Sequence, residues 1–253
     1  MARARTGTLA GVEGFPIPAL DEVPGFLGTQ AAWLLDDLGR HQAEAGVGGG
    51  IAEIGVFYGR SALVLGRTLA DGERRVACDR FDLGWDDVPG WDFAPAGPPE
   101  EALRRRWAAW VGDPERLVVV RGDSAELSPA DLGAPVRLVH VDGGHDYEVV
   151  RRDARLADEA VGPGGAVVFD DVLLPEWPDV TVAVADHLRA SEGGLVPVLV
   201  AEHKAVACRA GHEPRYRDWA RRAAGRIYPP PRHLIAERRF VGHPVLVVSR
   251  LPA

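Results

Sequence analysis

The stretch IAEIGVFYGRS, residues 51–61, decides the fold because an apolar run leads through a glycine-rich turn into a helical pattern. Residues 51–56 are predicted to form the first strand, and a helix is predicted from Ser61 to about Ala70. Gly55 permits a tight turn and a close approach of the backbone to a ligand. Gly55 and Gly59 lack the Gly-x-Gly-x-x-Gly spacing of a dinucleotide site, so the turn favours a smaller anion such as an amino-acid carboxylate.

Outward from this unit, apolar runs alternate with helical patterns, which is typical of a mostly parallel sheet. Further strands are predicted at 75–79, 117–121, 136–142 and 166–170, with a hairpin at 195–201 and 204–209 and a last strand at 244–249. Helices are predicted at 29–45, 147–161, 180–190 and 216–226, and the Gly/Pro cluster at 162–165 is expected to end the second of these. We therefore predict an α/β fold: a doubly wound, Rossmann-like, mostly parallel seven-stranded sheet with helices on both faces.

Residues 1–28 are predicted to form an N-terminal arm and residues 29–253 a single domain. A Trp/Pro/Gly-rich insertion interrupts that domain at 83–99. The insertion is interpreted either as a lid whose aromatic side chains face a ligand or as a small satellite hydrophobic cluster. The side chains concerned are Trp85, Trp91 and Phe93.

Composition excludes several classes of protein. The chain is 46% hydrophobic and 26% charged, with a net charge of −8, which is typical of a globular protein and argues against broad nucleic-acid binding. No apolar stretch approaches the roughly 20 residues of a membrane helix, and no signal peptide is expected. Cys78 and Cys208 lie in apolar runs and are interpreted as reduced, buried thiols of a cytoplasmic protein. The arginines at 104–106 and 221–222 either bind an anionic substrate or, as we favour, lie on solvated helix faces.

Polar residues follow successive predicted strands. Asp79 ends the second strand, where an acidic side chain can bind ribose hydroxyls, and Asp123 and Ser124 follow the third, within reach of an adenine edge. Each carboxylate alone would be typical of a solvated strand end. Together they predict a nucleoside site.

Three segments carry a family resemblance: EIGVFYGRS (53–61), VDGGHDYEVVRRD (141–153) and GPGGAVVFDDV (162–172). Over roughly residues 29–190 the chain resembles class I S-adenosylmethionine-dependent methyltransferases. It is most similar to the metal-dependent O-methyltransferases of antibiotic and macrolide-sugar biosynthesis and the related cephalosporin hydroxylase-like group. The resemblance implies a reversed final hairpin, which residues 195–209 would supply. It also implies an S-adenosylmethionine pocket built from Glu53, Gly55, Ser61, Asp79, Asp123 and Ser124.

A metal site is predicted at the ends of the fourth and fifth strands. Ends of neighbouring parallel strands lie about 5 Å apart, so Asp142, Asp170 and Asp171 are expected to converge. Their oxygens favour Mg²⁺, or else Mn²⁺ or Ca²⁺, and the resemblance also implies Mg²⁺. Alternatively, Asp171 caps a turn and only Asp142 contacts the amino group of the cofactor.

His145 is the candidate general base, and Asp142 is the second candidate catalytic residue. The pKa of a histidine, about 6.5 when unperturbed, suits proton removal near neutrality. In the resembling sugar O-methyltransferases a histidine at the matching position acts as the base. His140, inside the fourth strand, is expected to be a buried, hydrogen-bonded core residue.

The sequence therefore predicts methyl transfer to a hydroxyl of a small natural product or sugar, with Mg²⁺ assistance. Nitrogen or catechol acceptors remain alternatives, as does a non-catalytic S-adenosylmethionine-binding protein of a biosynthetic complex. Walls of the acceptor pocket are expected from the insertion, residues 173–177 and the N-terminal helix. Neither nucleic-acid nor membrane partners are expected. The sequence leaves open whether the chain forms a homo-oligomer and whether residues 229–231 and the preceding helix contribute a contact.

Overall fold

The computed structural model of the protein describes residues 20–82, 97–191 and 194–251. Its strands are β1 Ile51–Ile54, β2 Arg75–Asp79, β3 Leu117–Arg121, β4 Val136–Val141, β5 Val161–Phe169, β6 Leu195–Ala201, β7 Lys204–Arg209, β8 His233–Phe240 and β9 His243–Arg250. Its helices are α1 Thr29–Glu44, α2 Arg60–Gly66, α3 Pro99–Trp110, α4 Tyr147–Ala160, α5 Pro178–Ala190 and α6 Glu213–Ile227.

All nine described strands form one sheet, in the order β3-β2-β1-β4-β5-β7-β6-β9-β8. The first five strands of this order are parallel, and β7 is antiparallel to both β5 and β6. The predicted doubly wound α/β fold and its reversed hairpin are confirmed.

The predicted number of seven strands is wrong because β8 and β9 extend the sheet beyond β6. The predicted last strand corresponds to β9, but β8 was not predicted. Its sequence, HLIAERRF, carries charges at neighbouring positions, and most of its side chains are exposed at the sheet edge. Such a strand shows little of the alternation by which half-buried strands are recognised.

Several element ends differ from the predictions. Strand β1 ends at Ile54 rather than residue 56, and α2 ends at Gly66 rather than near residue 70. Helix α4 stops at Ala160, as the Gly/Pro cluster indicated, but that cluster belongs to β5. Its pairing with β4 is irregular, and a Cβ at Gly165 would lie 2.8 Å from the Arg137 carbonyl oxygen. Because β4 and β5 pack closely here, Gly165 is favoured at this position of β5.

The two faces of the sheet carry separate apolar cores. Helices α1, α2, α3 and α6 cover one face, and α4 and α5 cover the other, as expected for a doubly wound fold. Helix α6 turns Tyr216 and Trp219 into the first core, and Trp219 Nε1 donates a hydrogen bond to Asp37 Oδ1 at 2.7 Å. The apolar side of α6 is therefore packed against the core of this protein.

Most arginines of the two clusters are exposed, as favoured above, but Arg106 is half-buried and its Nη1 has no hydrogen-bond partner among the described residues. Arg104 pairs with Glu100 on α3, and Arg221 of α6 pairs with Asp218 and Glu237. Residues 83–96, and with them the expectation for the three insertion aromatics, lie outside the described residues, as does most of the N-terminal arm.

Both cysteines are buried free thiols, as predicted, and burial raises the pKa of each to about 12. Among the described helices, none is both long and apolar enough to cross a bilayer.

Candidate active site

The candidate site lies where the carboxyl ends of β1, β4 and β5 meet. Asp142 N donates to the Ile54 carbonyl at 2.8 Å, and Asp170 N donates to the Val141 carbonyl at 2.9 Å. Gly55, directly after β1, has a φ of 84°, and a Cβ there would overlap the Asp142 carbonyl oxygen. Glycine therefore lets the turns after β1 and β4 touch, which brings the predicted cofactor and catalytic residues to one edge.

The buried carboxylate of Glu53 is held by three side chains. Its Oε1 accepts hydrogen bonds from Ser61 Oγ at 2.5 Å and His140 Nδ1 at 2.6 Å, and its Oε2 accepts one from Arg75. Burial by itself raises the pKa of Glu53, but Arg75 and these hydrogen bonds outweigh it and lower the pKa. Glu53 and Ser61 thus contact each other, and their predicted contact with the cofactor stays a prediction.

Asp79 holds the turn after β1. Its Oδ2 accepts from Val56 N at 2.6 Å and Phe57 N at 2.8 Å, and its Oδ1 accepts from Phe81 N at 2.7 Å. A carboxylate offers about four acceptor sites. About one acceptor site therefore has no donor among the described residues, and the predicted contact of Asp79 with a ribose hydroxyl stays a prediction.

Asp123 and Ser124 lie beside a carboxylate that sequence analysis missed, Asp153 of α4. Asp123 Oδ1 accepts from Ala125 N at 2.8 Å and so caps the short turn after β3. Asp153 is only 1% exposed, and its Oδ1 has no hydrogen-bond partner among the described residues. Burial raises its pKa, against the opposing effects of Ser124 and Arg152. A buried acceptor of this kind suits a donor such as an exocyclic amine.

His145 is oriented by two neighbours. Its Nε2 lies 3.0 Å from Asp171 Oδ2, and its ring stacks on that of Trp177 with centroids 4.2 Å apart and planes 11° apart. Asp171 has a φ of 58°, a left-handed conformation that asparagine and aspartate adopt more readily than most residues. Trp177 is 44% exposed and Leu173 54% exposed. The expectation that residues 173–177 line an acceptor pocket stays a prediction, and the exposed apolar side chains beside His145 favour it.

Asp170 faces a cation that the sequence predictions did not include. Lys204 Nζ lies 2.6 Å from Asp170 Oδ1 and 2.5 Å from Oδ2, and Lys204 is 4% exposed. Burial lowers the pKa of Lys204, but the charges of Asp170 and Asp142 outweigh it and raise the pKa, so the group is an ammonium. The composition carried a signal: Lys204 is the only lysine among 29 lysines and arginines.

His140 is a buried core residue, as predicted, but it joins two carboxylates. Besides Glu53, it approaches Asp170, with His140 Nε2 3.4 Å from Asp170 Oδ2. Burial by itself lowers the pKa of His140, but the interactions with Asp170 and Glu53 outweigh it and raise the pKa to about 9. Burial and the negative charge of Asp170 raise the pKa of Asp142 well above its usual value.

The predicted metal ligands do not all face one point. One ligand atom each of His140, Asp142 and Asp170 lie within 4.8 Å of one another. However, Lys204 holds both oxygens of Asp170, and Asp171 contacts His145. This arrangement of side chains therefore does not fit a divalent cation bound by Asp142, Asp170 and Asp171.

Two of the cavities lined by the described residues lie at opposite edges of the sheet. The one beside Asp142, His145 and Asp171 has a volume of about 10 Å³. A larger one, about 730 Å³, lies at the amino ends of the strands, between residues 46–50 and 70–74. Ligands of doubly wound sheets bind at the carboxyl ends, so the candidate site is placed at the edge where the smaller cavity lies.

Comparison with known proteins identifies proteins of similar sequence and fold. Residues 52–172 match the family model described as a methyltransferase domain, which confirms the resemblance to class I methyltransferases. Residues 52–172 are thus similar to a methyltransferase domain.

Solved structures of O-methyltransferases share its fold. NovP is 19% identical over 72% of this chain and 81% of its own, with a TM-score of 0.57. TomG from Streptomyces achromogenes, involved in tomaymycin synthesis and solved with S-adenosylmethionine, is 20% identical over 80% and 94%, with a TM-score of 0.57. CalS11, a TDP-rhamnose 3′-O-methyltransferase of calicheamicin biosynthesis, is 23% identical over 77% and 88%, with a TM-score of 0.53.

Proposed function

We propose that the chain is an S-adenosylmethionine-dependent O-methyltransferase that acts on a hydroxyl group of a small natural product or sugar. The observation that carries the proposal is the His145–Asp171 pair, which lies beside the exposed Trp177 at the strand ends of a methyltransferase domain. The similar folds of NovP, TomG and CalS11 support this class of acceptor.

The chain's own residues fit S-adenosylmethionine at this edge. At the Gly55 turn no side chain stands between the backbone and a ligand. Asp79 keeps about one acceptor site that no described residue fills. The buried Oδ1 of Asp153 has no hydrogen-bond partner among the described residues. We assign the ribose to Asp79, the adenine to the Asp123–Ser124 region with Asp153 beneath it, and the cofactor's amino group to Asp142. Glu53 and Ser61 support the turn from below.

When bound, S-adenosylmethionine would supply a sulfonium methyl group to the acceptor oxygen, and the electron pair of the broken C–S bond would pass to sulfur. The acceptor hydroxyl must lose its proton as this happens. With Nε2–H of His145 donated to Asp171, Nδ1 is left to take that proton. The stacked Trp177 fixes the ring plane, which serves the alignment that an in-line displacement needs.

Magnesium assistance, which the sequence predicted, does not fit the arrangement of Asp142, Asp170 and Asp171 described above. We therefore derive no step through a metal ion. The base in our proposal is His145 alone, with Asp171 as its positioning partner.

The first test is calorimetric titration of S-adenosylhomocysteine into the protein, in EDTA and separately in Mg²⁺. We expect binding at one site per chain with a dissociation constant in the micromolar range, about −8 kcal/mol, in both buffers. No detectable binding in either buffer would contradict the proposed cofactor.

The second test concerns the base. With a hydroxylated acceptor found by screening sugars, phenols and catechols for S-adenosylhomocysteine release, we expect His145→Gln to lower kcat by roughly 10²- to 10⁴-fold. Asp171→Asn should lower kcat less, and neither should weaken S-adenosylhomocysteine binding. His243→Gln, at the β8–β9 turn, is the control. An unchanged kcat in His145→Gln would show that His145 is not the base. A protein that binds the cofactor but methylates no acceptor would favour the non-catalytic alternative.

A further inference from the structure

We propose that the ammonium group of Lys204 takes the place that a divalent cation would fill beside Asp142 and Asp170, so that this site works without a metal ion. The proposal deepens the proposed function and rests on it for the reaction concerned. Lys204 acts here as a positioning residue, since it holds Asp170 and contacts no reacting atom.

The contact geometry gives the first argument. Lys204 Nζ lies within 2.6 Å of both oxygens of Asp170, and the lysine is almost completely buried. A metal ion ligated by Asp170 would have to displace this ammonium or lie within a few ångströms of it. Two cations at that distance in a buried site repel strongly.

The second argument is the identity of the side chain. Lys204 is the only lysine of a chain that otherwise uses arginine for its permanent cations. An ammonium is a compact point charge, whereas a guanidinium is a wide planar fork. The one position with a lysine is thus the position where a small cation meets the carboxylates of a methyltransferase site.

The backbone around Lys204 gives the third argument. Glu202 and His203, which form the tight turn before it, both have positive φ values, 51° and 58°. The His203 carbonyl accepts a hydrogen bond from Val172 N at 2.7 Å. This contact joins the β6–β7 turn to the segment that carries Asp170 and Asp171, so the lysine and its carboxylate are held together by the fold.

Asp171, another of the three predicted ligands, also has a partner within the protein. The carboxylate of Asp171 contacts His145 and is not directed at the region between Asp142 and Asp170. Each of the two neighbouring aspartates therefore serves a different side chain, one the ammonium and one the imidazole.

The single lysine makes a direct test possible. Protein labelled with ¹⁵N at lysine Nζ should give one ammonium resonance. We expect saturating S-adenosylhomocysteine and millimolar Mg²⁺ to leave this resonance in place, and Mn²⁺ at one equivalent to leave it unbroadened. A shift with Mg²⁺, or loss of the signal with stoichiometric Mn²⁺, would overturn the proposal.

A variant tests the same idea from the other side. Lys204→Met keeps an unbranched apolar side chain but removes the charge, and we expect it to bind Mn²⁺ at least tenfold more tightly than the wild type, measured by electron paramagnetic resonance of the free ion. Arg209→Met removes a cation from the same strand away from Asp170 and should bind no Mn²⁺. A folded Lys204→Met protein that binds Mn²⁺ no more tightly than the wild type would refute the proposal that Lys204 takes the place of a divalent cation. If that variant does not fold, the wild-type resonance decides.

The proposed function can fail separately. Absence of S-adenosylhomocysteine binding in both EDTA and Mg²⁺ refutes the methyltransferase activity. Binding of S-adenosylhomocysteine together with Mn²⁺ broadening of the lysine resonance refutes only the role of Lys204.

Discussion

Side chains of alternating charge cross one face of the sheet beneath the site. Arg75 of β2 contacts Glu53 of β1, Glu53 contacts His140 of β4, His140 approaches Asp170 after β5, and Asp170 pairs with Lys204 of β7. The five residues come from strands that are neighbours in the sheet. Because every charge in the row has a partner of opposite sign, the row can be buried under α1, α2 and α6.

Removing one carboxylate from the middle of this row should be costly. Glu53→Gln leaves Arg75 and His140 without their shared counter-charge, and breaking a buried pair costs about 3–5 kcal/mol. We expect a loss of that order in the free energy of unfolding, measured by urea denaturation. Glu237→Gln removes an exposed partner of Arg221 and should change stability little. Equal effects of the two substitutions would show that the buried row does not stabilise the protein.

Helices α4 and α5 and strand β7 are joined by a second carboxylate, Asp158. It accepts hydrogen bonds from His187 at 3.1 Å, Ser191 at 3.1 Å and Arg209 at 2.5 Å. Burial raises the pKa of Asp158, but the hydrogen bond from His187 and the charge of Arg209 outweigh it, so the pKa lies below its usual value. Asp158 therefore links three elements in its ionised form.

A carboxyl group with a lowered folded-state pKa stabilises the fold above its unfolded pKa, about 3.9, and stops doing so as the pH falls through the folded value. Asp158→Asn should lower the free energy of unfolding by about 1–3 kcal/mol near neutrality, and the difference from wild type should shrink below about pH 4. Urea denaturation across pH measures it, with the exposed Glu159→Gln of the same helix as control. A difference that stays constant down to low pH would contradict the role given to the ionised carboxylate.

At the same scale, local pattern determined which elements sequence analysis found. The apolar runs of β1, β4 and β5 are recognisable because both faces of these central strands are buried. Strand β8 is not recognisable, since its position is decided by pairing with β9 and most of its side chains are exposed. The register irregularity that draws Gly162–Gly165 into β5 depends on the partner strand and leaves no local signal.

For the whole molecule, topology explains which parts of the site were predictable. Parallel strands end at one edge, so residues such as Asp142, His145 and Asp171 could be placed together from strand ends alone. The partner of each side chain could not. Asp170 meets Lys204 across 34 positions of sequence, because β7 returns antiparallel beside β5. Asp153 lies near Ser124 on the buried side of α4. Glu53 contacts Arg75 and His140, two partners that the sequence does not indicate, and its predicted contact with the cofactor stays a prediction.

The burial of Lys204 has a practical consequence for following the protein in solution. Acylating reagents attack the free amine, and the folded chain offers them no accessible lysine, because its only one is an ion-paired ammonium in the interior. On unfolding, that amine becomes reactive. A brief pulse of reagent followed by digestion and mass analysis of the peptide around residue 204 would therefore count unfolded molecules, with no label introduced beforehand.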